Sequence, residues 1–180
     1  MDTAADGRFA ERLRRRLRHT ERTYSAEEHR PLRGYLAAMT AFGAYTAGWA
    51  AVVKLRGRAL PDRPLPWDVA LTAVATFRLS RLLSKASVTS PLRAPFTTFQ
   101  GPQGPAELHE EARSEGAKDT VGELLTCPFC MSVWVASTLT AGQLLCPRAT
   151  RTAMGALTAL AGADVLQLTY SALVEKTTGD

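Results

Sequence analysis

The sequence predicts an all-α protein: an integral membrane bundle of about four transmembrane helices, with a long cytoplasmic loop between the second and third. Three observations predict it. Tyr35–Val53 and Leu124–Pro147 run for 19 and 24 residues without a charge. Thr152–Val174 is interrupted by Asp164 alone over its 23 residues. Charge-rich blocks separate these stretches, so the mean hydropathy of -0.09 averages two very different kinds of sequence. A helix of about 20 residues rises ~30 Å, the thickness of the hydrocarbon layer of a bilayer. The 180 residues suit one domain or small bundle, and 46% hydrophobic content argues against wholesale disorder.

Residues 1–34 form an arm with nine arginines and no lysine. Phe9, Leu13 and Leu17 recur every fourth residue, so a helix here carries a narrow apolar stripe flanked by guanidinium groups. Such a helix can lie on anionic lipid, each basic group contributing about 1 kcal/mol near the surface. A solvated tail is the competing reading. No aromatic stacking pattern accompanies the arginines, which argues against nucleic acid as a partner.

A membrane domain follows over 35–174. Its first expected span is 35–53, rich in Ala, Gly and Thr, with Tyr35 and Trp49 near the ends, where interfacial aromatics sit. A buried helix of a soluble core competes with this reading. A signal peptide fits poorly, because 34 residues precede the segment and no cleavage pattern follows. Lys54–Pro66 is a short basic turn. The second expected span, 66–83, opens with Pro66 in the first turn and Asp68 at the positive end of the helix dipole. Arg78 and Arg81 make it the weakest span, needing to snorkel or to pair with an acid.

Residues 84–123 read as a long polar connection punctuated by Pro91, Pro95, Pro102 and Pro105, with Glu107, Glu110, Glu111 and Glu115. Loops this long are functional or disordered. The patch Phe96–Phe99 is apolar enough to dock. The third expected span is 124–147. A turn holding Arg148 and Arg151 leads to the fourth, 152–174, where Gly155, Ala159 and Gly162 suit close helix packing in lipid. Residues 175–180 are a tail. With four spans, the arm, the loop and the tail share one side and carry 14 Lys and Arg, against six opposite. The basic residues therefore predict a multi-pass protein of the cell (inner) membrane with both termini and the long loop cytoplasmic.

Two constellations carry chemistry. Cys127-Pro128-Phe129-Cys130 stands where the loop becomes the third helix, with Pro128 suited to the first helical position and Cys127 to the N-cap. There the helix dipole stabilises a thiolate, making Cys127 a candidate nucleophile and Cys130 a resolving thiol. The element is locally similar to glutaredoxin active sites, without the βαβ context of that fold. Zinc is a second reading: two thiolates are half a tetrahedral site, to be completed by His109 with Glu110 or by a second copy of the chain. Cys146 is too far along the helix to contribute. Packing at a helix end is the third reading. No cofactor is required by the sequence.

Arg78, Arg81 and Arg93 form the other constellation. The first two lie three apart on one helix face. They can clamp a lipid phosphate, pair with Glu123 or with Asp164, or orient the helix by snorkelling. His19, His29 and His109 lie in polar blocks and read as solvated.

The order ATFRLSRLLSK, SPLRAPF, a Gly/Pro/Glu-rich loop and VGELLTCPFCMSVWVA resembles a bacterial family of small membrane proteins catalogued as domain of unknown function 1360. That family includes a Bacillus protein linked to sporulation. The resemblance covers about Pro66 to Val174. It rests on Arg78, Arg81, Pro91, Arg93, Glu123, Cys127, Pro128, Cys130 and Trp134 as matching positions, and implies membrane residence without an assigned activity. The sequence therefore points to a structural or interaction protein at the membrane, with lipid, a protein partner or a second copy as partners. The alternative is a membrane-tethered thiol redox or metal-binding protein. No second catalytic group strengthens the case for an enzyme.

Overall fold

The computed structural model describes residues 32–114 and 116–178, together with Glu11 and Arg15. The amphipathic helix expected in the arm, with His19 and His29, lies outside the described residues.

Helix α1 spans Leu32–Leu55, a little longer than the uncharged stretch that predicts it. Its end is set by Gly57, whose φ of 61° lets the chain turn back on the helix. The Arg58 amide then donates to the Val53 carbonyl at 3.1 Å and the Gly57 amide to that of Lys54 at 3.0 Å, closing the last turn. Helix α2 spans Pro66–Lys85, with Pro66 in its first turn and Asp68 at its positive pole.

The expected long loop is a correction. Residues 84–123 fold into a cap: a 3-10 turn at Ser87–Thr89, the short helix α3 (Ser90–Arg93), strands β1 (Thr97–Gly104) and β2 (Glu107–Ala112), and helix α4 (Ala117–Thr126). The strands are antiparallel, Thr97 opposite Ala112 and Gly104 opposite Glu107, with two irregularities on β1. The fold is thus mostly helical rather than all-α, with one small sheet. Pro102 within β1 is tolerated because a two-stranded sheet leaves each strand an outer edge.

The third expected span, 124–147, is broken. Helix α5 begins afresh at Pro128 and runs to Leu145, and it bends by 80° from the segment 118–126. Proline has no amide hydrogen and forces its predecessor out of the helical region, so Cys127 is extended and the helix restarts. Cys146 alone links α5 to helix α6 (Pro147–Thr178). Arg148 and Arg151, expected in a turn, are therefore in the first turns of α6.

The core lies where α2, α5 and α6 meet. Ala75, Val135, Leu139 and Met154 are buried there, with Leu71, Leu79, Leu83 and Leu157 against them. At one end of this seam, Gln143 donates to the Thr72 hydroxyl at 2.7 Å, and Arg151 grips Asp68 through two nitrogens at 3.1 and 2.8 Å. Helix α1 packs against α5 through the edge of Phe42 on Trp134, at 5.1 Å between ring centres. The Tyr45 hydroxyl meets that of Thr138 at 2.6 Å.

By length and composition, α1 and α6 can each cross a membrane, and a third crossing results if the bent pair 118–126 and 128–145 is one span. Helix α2, expected as the second span, is not among them, because Asp68, Arg78 and Arg81 lower its hydropathy. It is the central helix of the bundle, packed against both α5 and α6. Thr76, Ser80 and Ser84 of this helix are buried with Ala75. Within the chain, Gly155 and Gly162 of α6 meet no neighbouring atom of the described residues within 4 Å of an added Cβ, whereas Met154 and Ala161 are buried.

Candidate functional site

The three arginines of α2 and α3 each meet a carboxylate from elsewhere in the chain. Arg78, on the buried side of α2, reaches Asp164 of α6 at 3.0 Å. Arg81, one turn on, holds both oxygens of Glu107 with its Nη2 at 2.7 and 2.6 Å. Glu107 opens β2, where it also bridges to Ala86 just past the end of α2. Arg93 is 1% exposed and pairs with the buried Glu110 of β2. Glu123, the other acid expected to meet an arginine, accepts instead from the Tyr35 hydroxyl of α1 at 2.5 Å.

Arg93 does more than pair. Its Nη1 donates to the Leu83 carbonyl at 2.8 Å and the Thr89 hydroxyl at 2.7 Å, and its Nη2 donates to the Ala86 carbonyl at 3.1 Å. Leu83 and Ala86 carry two of the carbonyls that a helix leaves without an intrahelical partner at its C-terminus. The Thr89 hydroxyl takes another, that of Leu82, at 2.5 Å. A buried guanidinium thus closes the end of α2, where the helix dipole favours a cation, and Glu110 neutralises it. The same ion pair fastens β2 to α2. Arg113 completes the cap by donating to the Thr97 and Ala94 carbonyls at 3.0 and 3.2 Å.

The cysteine turn lies between the cap and the bundle. Cys127 is the N-cap of α5, its sulfur accepting from the Cys130 amide at 3.3 Å. The Cys130 thiol lies beside that of Cys127 and near Glu123, and both cysteines are half-buried. Phe129 between them is 85% exposed. Cys146 is exposed at the other end of α5. His109 lies exposed on β2, and Glu110 is taken by Arg93, so neither joins the cysteines. Among the described residues no three His, Cys, Asp or Glu side chains gather as metal ligands. Trp134 stands two turns into α5, against Phe42 and Tyr45 of α1.

Glu107 and Glu110 were the partners that spacing did not reveal. They sit in an acidic run whose pairing with Arg81 and Arg93 is made only when the hairpin folds back on α2. Tyr35, read from its position as an interfacial aromatic, is the partner of Glu123.

A helical protein with two apolar, membrane-length helices and an ion-paired cap is the class that fold and site define. The family model described as "Protein of unknown function (DUF1360)" matches residues 71–170, more than half of the chain, and the chain belongs to this family. The match takes in the core helix α2 from Leu71, the whole cap, the cysteine turn and most of α6. Among curated proteins, the chain is similar to "Sporulation protein YjcA" of Bacillus subtilis (strain 168), 33% identical over 84 residues, which are 45% of this chain and 71% of the relative. No solved structure matches the chain.

Proposed function

We propose that this chain is a multi-pass protein of the cytoplasmic membrane with a structural or interaction role, in which α1, α2, α5 and α6 cross the bilayer, α2 at the centre with Arg78 paired to Asp164, and the cap faces the cytoplasm. The observation that carries the reading is the exterior of α1 and α6. Only 6% of the most apolar window of each helix is buried, leaving side chains such as Met39, Leu166 and Tyr170 at about 70% exposure or more. An apolar surface of that extent needs lipid or other helices to cover it. The 14-to-six distribution of basic residues supports the cytoplasmic placement of both termini and of the cap. The ion pairs support a cap that is a rigid platform on the membrane surface rather than a solvated loop. The similarity to a sporulation protein supports a role of this chain in sporulation.

Alkaline carbonate extraction tests the membrane reading. The protein is expected to stay with the membrane pellet, and release into the supernatant would overturn it.

A second reading is favoured by the neighbouring thiols of Cys127 and Cys130 at a helix N-terminus: a membrane-tethered dithiol, redox-active or zinc-binding. Thiol titration of detergent-purified protein before and after diamide, with zinc analysis of the same sample, tests it. Loss of two thiols per chain on oxidation, or bound zinc released by chelation, supports the reading; unchanged thiols in zinc-free protein would remove it.

A further inference from the structure

Four arginines of the described bundle and cap are neutralised by carboxylates: Arg78, Arg81, Arg93 and Arg151. Other cations have no carboxylate within reach among the described residues, and two of them line one groove. Lys54, in the last turn of α1, and Arg58, just beyond it, meet no carboxylate among the described residues. Both border a groove of about 630 Å³ between the second half of α1 and α5. Its walls include Trp49, Val53, Ala141 and Leu144. Two of the three hydroxyls on those walls turn back on their own helices, Thr46 donating to the Phe42 carbonyl at 3.1 Å and Ser137 to that of Val133 at 2.8 Å, while Thr140 lies at the exposed rim. The Trp49 indole nitrogen is shielded from water and has no hydrogen-bond partner among the described residues.

An apolar trough ending in two unpaired cations selects a ligand with the same division. We propose that this groove is a binding site for an anionic phospholipid, one acyl chain lying between α1 and α5 and the phosphate held by Lys54 and Arg58. The volume falls within the range of sites that enclose one drug-sized ligand. The charge complementarity excludes a purely hydrocarbon occupant, and the apolar walls exclude a free anion. The site is at the opposite end of α1 from Tyr35 and Glu123, and so away from the cap. Hence it faces the other leaflet from the one the cap adjoins.

The proposal rests on the membrane reading, and tryptophan fluorescence separates the two. The chain has three tryptophans. The Trp67→Phe/Trp134→Phe variant leaves Trp49 as the groove reporter. The Trp49→Phe/Trp134→Phe variant leaves Trp67, 71% exposed at the start of α2, as a reporter of the surrounding lipid. Each is reconstituted into phosphatidylcholine vesicles containing the same small fraction of either bromine-labelled phosphatidylglycerol or bromine-labelled phosphatidylcholine. Two basic groups at the headgroup predict a preference for phosphatidylglycerol of about thirtyfold in relative affinity at Trp49. That preference is expected to be weak at Trp67 and lost at Trp49 in Lys54→Gln/Arg58→Gln. Thr140→Phe, which fills the exposed rim of the groove while keeping both cations, is expected to lower quenching of Trp49 by either lipid. Equal quenching of Trp49 by the two lipids, or a preference that survives loss of both cations, would overturn the site while leaving the membrane reading intact. Absence of quenching at both tryptophans by either lipid would overturn the membrane reading with it.

Discussion

Replacing Arg93 by methionine removes the group on which the cap depends. The side chain is 1% exposed, makes three hydrogen bonds to the end of α2 and its turn, and neutralises the buried Glu110. Methionine fills similar volume but leaves Glu110 charged without a partner and strips donors from the Leu83 and Ala86 carbonyls. Breaking a buried ion pair from one side costs about 3–5 kcal/mol. Since ~1.4 kcal/mol is a factor of ten in an equilibrium constant, opening of the cap should become at least about a hundredfold more frequent. Amide hydrogen exchange across β1 and β2 in detergent-purified protein reads this directly. Arg93→Met should lower protection there by that factor, while the exposed Arg148→Met leaves it unchanged. The Arg93→Met/Glu110→Gln double variant should regain part of the loss, because the stranded charge is gone. A change below about threefold in Arg93→Met, or a double variant no better than the single one, would show that the pair does not hold the hairpin to α2.

Two further variants probe the packing around the site. A Cβ added at Gly122 would stand 2.6 Å from the Phe96 carbonyl oxygen and 2.8 Å from the Ala112 Cβ, so Gly122→Ala should destabilise the cap by about 1–2 kcal/mol despite the better helix propensity of alanine. Slower exchange in α4 and β2 would contradict it. Cys127 acts as an N-cap, so Cys127→Ser should unfold within about 0.5 kcal/mol of the parent and Cys127→Ala should lose about 0.5–1 kcal/mol. Thermal unfolding in detergent compares them, and equal losses for serine and alanine would remove the capping role.

The apolar helices were legible because charge marks their ends. Tyr35–Val53 sits within Leu32–Leu55, and Thr152–Val174 within Pro147–Thr178. Pro66 and Pro128 announced helix starts through the one position where a missing amide hydrogen is harmless. The same logic placed Cys127 at a cap, but it did not show that the 24 uncharged residues from Leu124 onward would be cut by a bend of 80°. The cap was opaque for a different reason. β1 contains two glycines and a proline and lacks alternating apolar residues, so no periodicity marks it as a strand. It is fixed by contacts distant in sequence, Arg81 to Glu107 across 26 residues and Arg93 to Glu110 across 17. The pairing of Arg78 with Asp164 was among the alternatives the sequence raised, since a carboxylate in the middle of an apolar helix needs a partner.

The central claim is that the bundle crosses the bilayer, with α2 leading the chain from the far side back to a cytoplasmic cap, and labelling of single cysteines tests it most directly. In a chain whose three cysteines are replaced by serine, one cysteine is placed at the exposed Asp62, between α1 and α2, or at the exposed Gln103, near the hairpin tip. A membrane-impermeant maleimide is then applied to intact spheroplasts and to permeabilised ones. The account predicts that position 62 is labelled in both and position 103 only after permeabilisation. Labelling of both positions from outside, or of neither until the membrane is opened, would contradict a membrane crossing between the two sites.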